Sequence, residues 1–270
     1  MLTIAILIVF IIYLYILSVG GRTGNPGLQK LRGWSYAHRG LHAKPEVGEN
    51  SLTAFRLAAE KGYGAEFDVH LMKDGNLAVI HDSSLKRTAG AEVDIEALTL
   101  EDLDNYHLEA SEDTIPTFRQ VLDVFEGKAP VIIELKTKGN NGAKLSEAVC
   151  RELEGYRGDY CIESFDPRCL MWLKKHRPEI VRGQLSQNFI KGQTAGMGKL
   201  ADFALSYMLE NFLTKPDFIA YNFDHRKNLS NRIALKLYGV QGVSWTLKRK
   251  EDYDVALEEG LLPIFEQFEP

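Results

Sequence analysis

The chain has 270 residues, 45% of them hydrophobic and 26% charged, which is ordinary for a folded protein with one large core. Its formal net charge of −5 argues against the basic face that a nucleic-acid partner needs. Three cysteines without a CxxC motif leave at least one free thiol and favour a reducing compartment.

The N-terminal segment is strongly apolar. Residues 1–21 contain no charged side chain, and about 20 apolar residues suffice for a transmembrane helix. We therefore predict a membrane anchor over 1–21 and a short linker over 22–33. A cleaved signal peptide is the alternative, although no Lys or Arg precedes the apolar run and the run is long for that purpose. Basic residues follow the run, so the positive-inside rule predicts that residues 34–270 lie in the cytoplasm, with an outward-facing domain as the other possibility.

Strand-like and helix-like patterns alternate after residue 34. Strands are predicted at 34–38, 64–71, 131–135, 159–164, 180–185, 217–223, 240–247 and 261–265, with a short returning strand at 77–81. Helices are predicted at 51–62, 117–126, 143–155, 167–176, 199–212, 228–238 and 250–259, and the acidic segment 84–114 is an insertion. This alternation predicts an α/β fold, namely a closed TIM (β/α)₈ barrel, with an open doubly wound sheet as the alternative.

Polar side chains recur at the C-terminal ends of these strands, where a barrel of this kind holds its catalytic groups. In the strand GAEFDVHL, 64–71, apolar residues alternate with Glu66, Asp68 and His70, so one face carries two carboxylates and an imidazole. The next parallel strand ends with Glu134. Three buried carboxylates need a cation, and oxygen ligands favour Mg²⁺ or Ca²⁺ over Zn²⁺.

Seven motifs in this order and spacing resemble the glycerophosphodiester phosphodiesterase family. They are AHRG (37–40), GEN (48–50), AEFDV (65–69), KDG (73–75), VIHD (79–82), IPTF (115–118) and IELK (133–136). The resemblance implies a TIM barrel over 34–270 with a small insertion after the second strand. It also implies metal-dependent hydrolysis of glycerophosphodiesters to an alcohol and a glycerol phosphate. In our hypothesis the enzyme also hydrolyses lysophospholipids, to an alcohol and a lysophosphatidic-type product. No protein partner is implied.

The resemblance also implies roles for residues at matching positions. His38 and His81 resemble the general acid/base pair, and Arg39 and Lys136 resemble the residues that contact the phosphate. We expect Trp245 to line the same pocket. The residues that resemble ligands of Mg²⁺ or Ca²⁺ are Glu66, Asp68 and Glu134, with Glu49 as a further ligand or a supporting group. His70 is expected to lie too deep to touch substrate.

Two other functions compete with this hypothesis. One is a phosphoinositide-cleaving phospholipase of similar barrel form, and the other is a non-catalytic, membrane-anchored binding domain. The sequence also departs from the family at its end, where PIFEQFEP (263–270) replaces the usual Thr-Asp pair and weakens the prediction of barrel closure. The loop 188–199 is predicted on the rim of the site. Its Phe189, Ile190 and Met197 are expected to pack within the loop, with contact to a bilayer as the alternative.

Overall fold

The computed structural model describes residues 1–191 and 198–270. Its strands are β1 Tyr36–His38, β2 Gly64–Leu71, β3 Leu77–Val79, β4 Val131–Leu135, β5 Tyr160–Ser164, β6 Arg182–Ser186, β7 Phe218–Asn222, β8 Gln241–Leu247 and β9 Leu262–Phe265. The helices are α1 Leu2–Ser18, α2 Gly27–Leu31, α3 Leu52–Glu60, α4 Lys86–Ala89, α5 Phe118–Phe125, α6 Gly142–Glu152, α7 Pro167–His176, α8 Lys199–Ser206, α9 Asn211–Thr214, α10 Leu229–Lys236 and α11 Lys250–Glu258. Three short 3₁₀ segments lie at Ile95–Ala97, Leu100–Asn105 and Phe223–His225.

All the strands except β3 are parallel and form a closed barrel. Each pairs with the next along the chain, and β1 pairs with both β2 and β9. The short β3 adds to β2 in the antiparallel sense. The prediction of a (β/α)₈ barrel is therefore confirmed. The barrel is closed by the pairing of β1 with β9, in which Tyr36 pairs with Ile264 and Ala37 with Phe265. The segment 263–270 therefore completes the barrel although it departs from the family pattern.

The two-residue period of β2 separates the core from the site. Ala65, Phe67 and Val69 face the surrounding helices in the main hydrophobic core. Their neighbours Glu66 and Asp68 are just as buried, and they point to the inside of the barrel. The polar face of β2 is therefore inside the barrel and not exposed to solvent.

The segment 22–33, predicted as a linker, also packs against the barrel. Its helix α2 buries Leu28 and Leu31 beside Tyr36 in a cluster of side chains inside the barrel. Arg22 donates two hydrogen bonds to Asp217, the residue before β7. This segment is thereby attached at the N-terminal end of the barrel.

The insertion after β3 carries α4 and two 3₁₀ segments around a separate apolar cluster that includes Ile95, Leu103 and Ile115. The helix predicted at 199–212 is divided into α8 and α9. All three cysteines are free and buried.

The N-terminal helix α1 covers most of the apolar segment 1–21. Across residues 1–191 and 198–270, no helix is both long enough and apolar enough to cross a membrane, so the structure does not support the transmembrane helix predicted there.

Candidate active site

Three carboxylates converge at the C-terminal end of the barrel. Glu66, Asp68 and Glu134 each offer an oxygen atom, and these oxygens lie within 4.8 Å of one another. The parallel pairing of β2 with β4 sets Asp68 directly beside Glu134. All three residues are buried. Oxygen atoms at this spacing fit a hard divalent cation, because Mg²⁺ and Ca²⁺ are bound through carboxylates.

The lysine Lys136 lies against this cluster. Its Nζ is 2.9 Å from an oxygen of Glu134 and 3.1 Å from an oxygen of Asp68. Burial raises the pKa of Glu66 well above its usual value, and it raises that of Glu134 to about 7. Burial alone would also raise the pKa of Asp68, but Lys136, His81 and Arg39 hold it well below its usual range. The cluster is therefore a place where added positive charge is strongly favoured.

A fourth carboxylate, Glu163, extends the cluster. It lies directly beside Glu134 in the parallel pairing of β4 with β5, and it lines the same cavity. Burial, Glu134 and Asp68 raise its pKa well above the usual value. Its Oε2 has no hydrogen-bond partner in the described part of the chain. The sequence placed Glu163 at a strand end, but no family motif assigned it a role.

His38, at the end of β1, is oriented by an acidic residue that sequence reasoning missed. Its Nδ1 lies 2.8 Å from Oε2 of Glu266, the residue directly after β9. Its Nε2 is 3.8 Å from Oε2 of Glu66, on the side of the carboxylate cluster. Burial lowers the pKa of His38, and the hydrogen bond with Glu266 partly opposes this. The signal for Glu266 was available, since it is an acidic residue at the end of a barrel strand.

The second imidazole, His81, lies beyond β3 and is also held by a carboxylate. Its Nδ1 is 2.6 Å from an oxygen of Asp82. Burial lowers the pKa of His81 to about 4, so the ring is neutral at neutral pH and able to accept a proton. His70 lies deeper, where Nδ1 contacts Glu96 at 2.8 Å and Nε2 is 3.2 Å from the carbonyl of His81. His70 thus supports the backbone of His81, in line with the secondary role expected for it.

Arg39 points toward the carboxylates from a left-handed backbone conformation, with a φ of 56°. Its Nη1 donates to Glu49 at 2.9 Å, and its Nε lies 3.5 Å from Asp68. Glu49 is surrounded by cations, since Lys44 and Arg87 also pair with it. Burial opposes ionisation of Glu49, but these cations lower its pKa well below the usual range. The structure therefore groups Glu49 with these cations and not with the three carboxylates of the cluster.

Aromatic side chains form one wall of the cavity. The ring of Trp245 packs edge-on against Phe165, and Phe165 packs against Phe189 in the same way. The indole N–H of Trp245 donates to the carbonyl of Ala220, so the ring is fixed and presents only its apolar surface. Phe189 is buried and contacts Phe165, which lies outside the loop 188–199, whereas Ile190 is 55% exposed. Met197 lies outside the described residues.

A family model for glycerophosphoryl diester phosphodiesterases matches residues 38–266. The chain belongs to that family. It is a phosphoric diester hydrolase, and its glycerophosphodiester phosphodiesterase activity explains why two imidazoles, two cations and a carboxylate cluster share one cavity. The family assignment sets aside a phosphoinositide-type phospholipase and a non-catalytic binding domain as descriptions of this chain.

Named relatives agree with this assignment. A glycerophosphodiester phosphodiesterase of Caldanaerobacter subterraneus subsp. tengcongensis is 28% identical over 235 residues, which cover 83% of this chain and 90% of the relative. A human lysophospholipase D is 32% identical over 129 residues, covering 43% of this chain and 40% of the relative.

Two solved structures share the fold. One is an Oleispira antarctica phosphodiesterase in complex with its product sn-glycerol-3-phosphate. It matches with a TM-score of 0.73 at 21% identity, covering 89% of this chain and 94% of the other. The other is a glycerophosphodiester phosphodiesterase of Thermotoga maritima. Its TM-score is 0.65 at 25% identity, covering 86% of this chain and 93% of the other.

Proposed function

We propose that the enzyme hydrolyses glycerophosphodiesters, and lysophospholipids among them, with His38 and His81 as the general acid/base pair. The observation that carries this proposal is the position of the two imidazoles. Both line one cavity with the carboxylate cluster, and each has its Nδ1 held by its own carboxylate, Glu266 or Asp82. This arrangement leaves each Nε2 available for proton transfer.

In the proposed reaction, an attacking hydroxyl (of water or of the glycerol 2-position) forms a new P–O bond while the P–O bond to the leaving alcohol breaks. Attack by water gives the glycerol phosphate directly, whereas attack by the 2-hydroxyl gives a cyclic phosphate whose new P–O bond is then cleaved by water. One imidazole takes the proton of the attacking hydroxyl, and the other gives a proton to the leaving alkoxide. Arg39 and Lys136 neutralise charge that develops on the phosphoryl oxygens. Trp245 and Phe165, which form the aromatic wall, contact the apolar part of the substrate.

Glu66, Asp68 and Glu134 would hold a divalent cation, Mg²⁺ or Ca²⁺, in this proposal. When bound, the cation supplies Lewis-acid stabilisation of the negative charge on the phosphoryl group. The fit rests on the spacing of their oxygens and on their burial. We assign Glu49 to the support of Arg39, because it pairs with three cations.

Separate replacement of His38 and His81 by Ala tests this assignment. Each variant should lose about 10²- to 10⁴-fold in kcat on glycerophosphocholine, the usual contribution of a positioned acid or base. His107→Ala is the matched control, because His107 lies in the insertion, where Nδ1 contacts the carbonyl of Glu112. Full turnover in either His38→Ala or His81→Ala, with the fold intact by circular dichroism, would refute the assignment.

Lysophospholipids enter the proposal by similarity and by location. Part of the chain resembles a lysophospholipase D.

We also propose that the apolar segment 1–21 holds the enzyme at a membrane, with residues 34–270 in the cytoplasm. Support comes from the run of uncharged side chains, from the basic residues after it and from three free cysteines. A phosphatase that is active only outside the cytoplasm, fused to the C-terminus, should remain inactive, and an active fusion would overturn the orientation.

A further inference from the structure

We infer that the catalytic end of the barrel faces a lipid bilayer, which α1 enters beside the mouth of the active site. This inference rests on the proposed membrane association and adds its geometry. Three observations carry it: the exposure of α1 on all sides, the direction in which α1 leaves the barrel, and the apolar side chains that flank it.

No side of the outer part of α1 is covered by the described protein. The seven consecutive side chains of residues 6–12 are each 51–66% exposed, and consecutive residues in a helix point about 100° apart. A groove on one protein partner would cover a single face of such a helix. A helix that is apolar all round calls for apolar surroundings on every side, and the interior of a bilayer supplies them.

The end of α1 is attached to the N-terminal end of the barrel. Arg22 binds Asp217, the residue before β7, and Nδ2 of Asn211 donates to the carbonyl of Val19 at 3.1 Å. The hydroxyl of Tyr238, which lies between α10 and β8, donates to the carbonyl of Ile16 at 2.8 Å.

From there α1 rises along the barrel toward the catalytic end. The hydroxyl of Tyr15 shares a 2.6 Å hydrogen bond with Ser230, the second residue of α10. Because α10 follows β7, its start lies at the level of the C-terminal ends of the strands. Residues 2–14 continue the same helix beyond that level for about 20 Å, at 1.5 Å a residue. Tyr13 and Tyr15 lie at the rim, where a tyrosine suits the boundary between water and lipid.

The neighbouring α8 presents apolar side chains on the same side. Ser206 at its end accepts the backbone N–H of Phe189, so α8 lies next to the aromatic wall of the active site. Leu200 is 83% exposed and Phe203 is 46% exposed. The exposed Lys199 begins the helix and suits the headgroup layer of anionic lipids. The surface formed by α1, α8 and Ile190 therefore places the mouth of the cavity against the layer in which lysophospholipids reside.

The orientation is tested with two variants of the full chain, each of which adds one exposed cysteine to the three buried native ones. Phe203→Cys places the probe at the catalytic end, and Leu237→Cys places it just after α10, near the opposite end, on a residue that is 65% exposed. The native cysteines are buried and should not react with the dye. Each variant is labelled with a fluorescent dye and bound to vesicles of phosphatidylcholine and phosphatidylglycerol that carry spin-labelled phosphatidylcholine.

We expect the spin-labelled lipid to quench the probe at 203 strongly and the probe at 237 weakly. Equal quenching, or stronger quenching at 237, would overturn the orientation. Burial of the probe at 203 that grows with protein concentration and needs no vesicles would assign the surface to a second copy of the chain and also overturn it.

An activity measurement separates this inference from the proposed function. Leu200→Glu combined with Phe203→Glu should lower turnover of vesicle-borne lysophosphatidylcholine and leave turnover of soluble glycerophosphocholine unchanged. The control Leu237→Glu should leave turnover of both substrates unchanged. An equal loss on both substrates, or the same loss in Leu237→Glu, would refute the inference. If no variant and no wild-type protein hydrolysed the soluble diester, the proposed function would fail, whereas the quenching result would still decide the orientation.

Discussion

Among single residues, Glu266 orients the imidazole of His38, which we propose as one of the two proton-transfer groups. Glu266 accepts a hydrogen bond from Nδ1 of the ring. Burial raises the pKa of Glu266, but His38 and Lys248 outweigh this effect and lower the pKa to about 2. The carboxylate is therefore charged throughout the neutral range. It fixes the tautomer of His38 with Nε2 toward the cavity.

We predict that Glu266→Gln lowers kcat roughly tenfold or more, because an amide does not stabilise the imidazolium as a carboxylate does. KM should change less, since Glu266 does not contact the substrate in our proposal. The measurement is steady-state kinetics with a pH profile, in which the limb assigned to His38 should move to lower pH. Glu269→Gln is the control, because Glu269 pairs with Lys61 at the surface three residues later. An unchanged kcat and pH profile in Glu266→Gln would contradict this role.

Glu49 and Glu66 are both buried acids near Arg39, and a metal titration distinguishes their roles. Glu66→Gln should raise the metal concentration that gives half activity by about tenfold or more, as loss of a ligand or its support does. Glu49→Gln should lower activity through Arg39 and leave that concentration within about twofold. If Glu49→Gln raised the metal concentration that gives half activity as much as Glu66→Gln does, Glu49 would be a ligand.

Sequence predicted the residues at strand ends better than it predicted their partners. The E-x-D spacing on β2 and the IELK motif placed three carboxylates together because parallel strands present equivalent ends at one side of a sheet. Glu266 was not assigned because its partner His38 is 228 residues away in the chain. A contact of that range depends on barrel closure, which no local pattern encodes.

At the scale of elements, the insertion is attached to the barrel by a buried polar pair. Glu96, in the 3₁₀ segment Ile95–Ala97, contacts His70 of β2 and accepts a hydrogen bond from Ser83 at 2.8 Å. Burial raises the pKa of Glu96, but these partners lower it to about 2. Because the folded-state pKa lies below the ordinary 4.5, the pair stabilises the fold above that pH, and the contribution is lost as the pH falls from 4.5 toward 2.

We predict that Glu96→Gln lowers the free energy of unfolding by about 1 kcal/mol near neutral pH, after allowance for solvent screening. The difference from wild type should shrink as the pH is lowered through about 4 toward 2. Urea unfolding at several pH values measures it. Glu92→Gln, which removes an exposed pair with Lys86 in the same insertion, should cost less than about 0.5 kcal/mol. A pH-independent difference for Glu96→Gln would argue against the ionic role.

The predicted elements agree with the observed ones where periodicity is strong and differ where tertiary contacts decide. The observed strands begin and end within about two residues of their predicted bounds. The helix at 199–212 divides because Met208 adopts a left-handed conformation with a φ of 51°. The packing of Leu28 and Leu31 of α2 against the N-terminal end of the barrel was not predicted, because five residues give too short a pattern to identify a buried face.

In the whole molecule, the barrel brings residues of β1, β2, β4, β5 and β8 together at one cavity. In our proposal this arrangement lets two imidazoles and three carboxylates, which are spread over residues 38–134 of the chain, act on one phosphate group. The apolar exteriors of α1 and α8 form the surface that we infer to contact lipid at the same end of the barrel.

In our proposal, hydrolysis depends on the cation that the carboxylate cluster binds. The most direct measurement is the turnover of glycerophosphocholine by EDTA-treated protein, before and after Mg²⁺ or Ca²⁺ is restored in turn. We predict that turnover falls to background on metal removal, returns with at least one of the two cations, and does not return in Glu66→Gln at the same cation concentration. Undiminished turnover by the metal-free protein would contradict this claim.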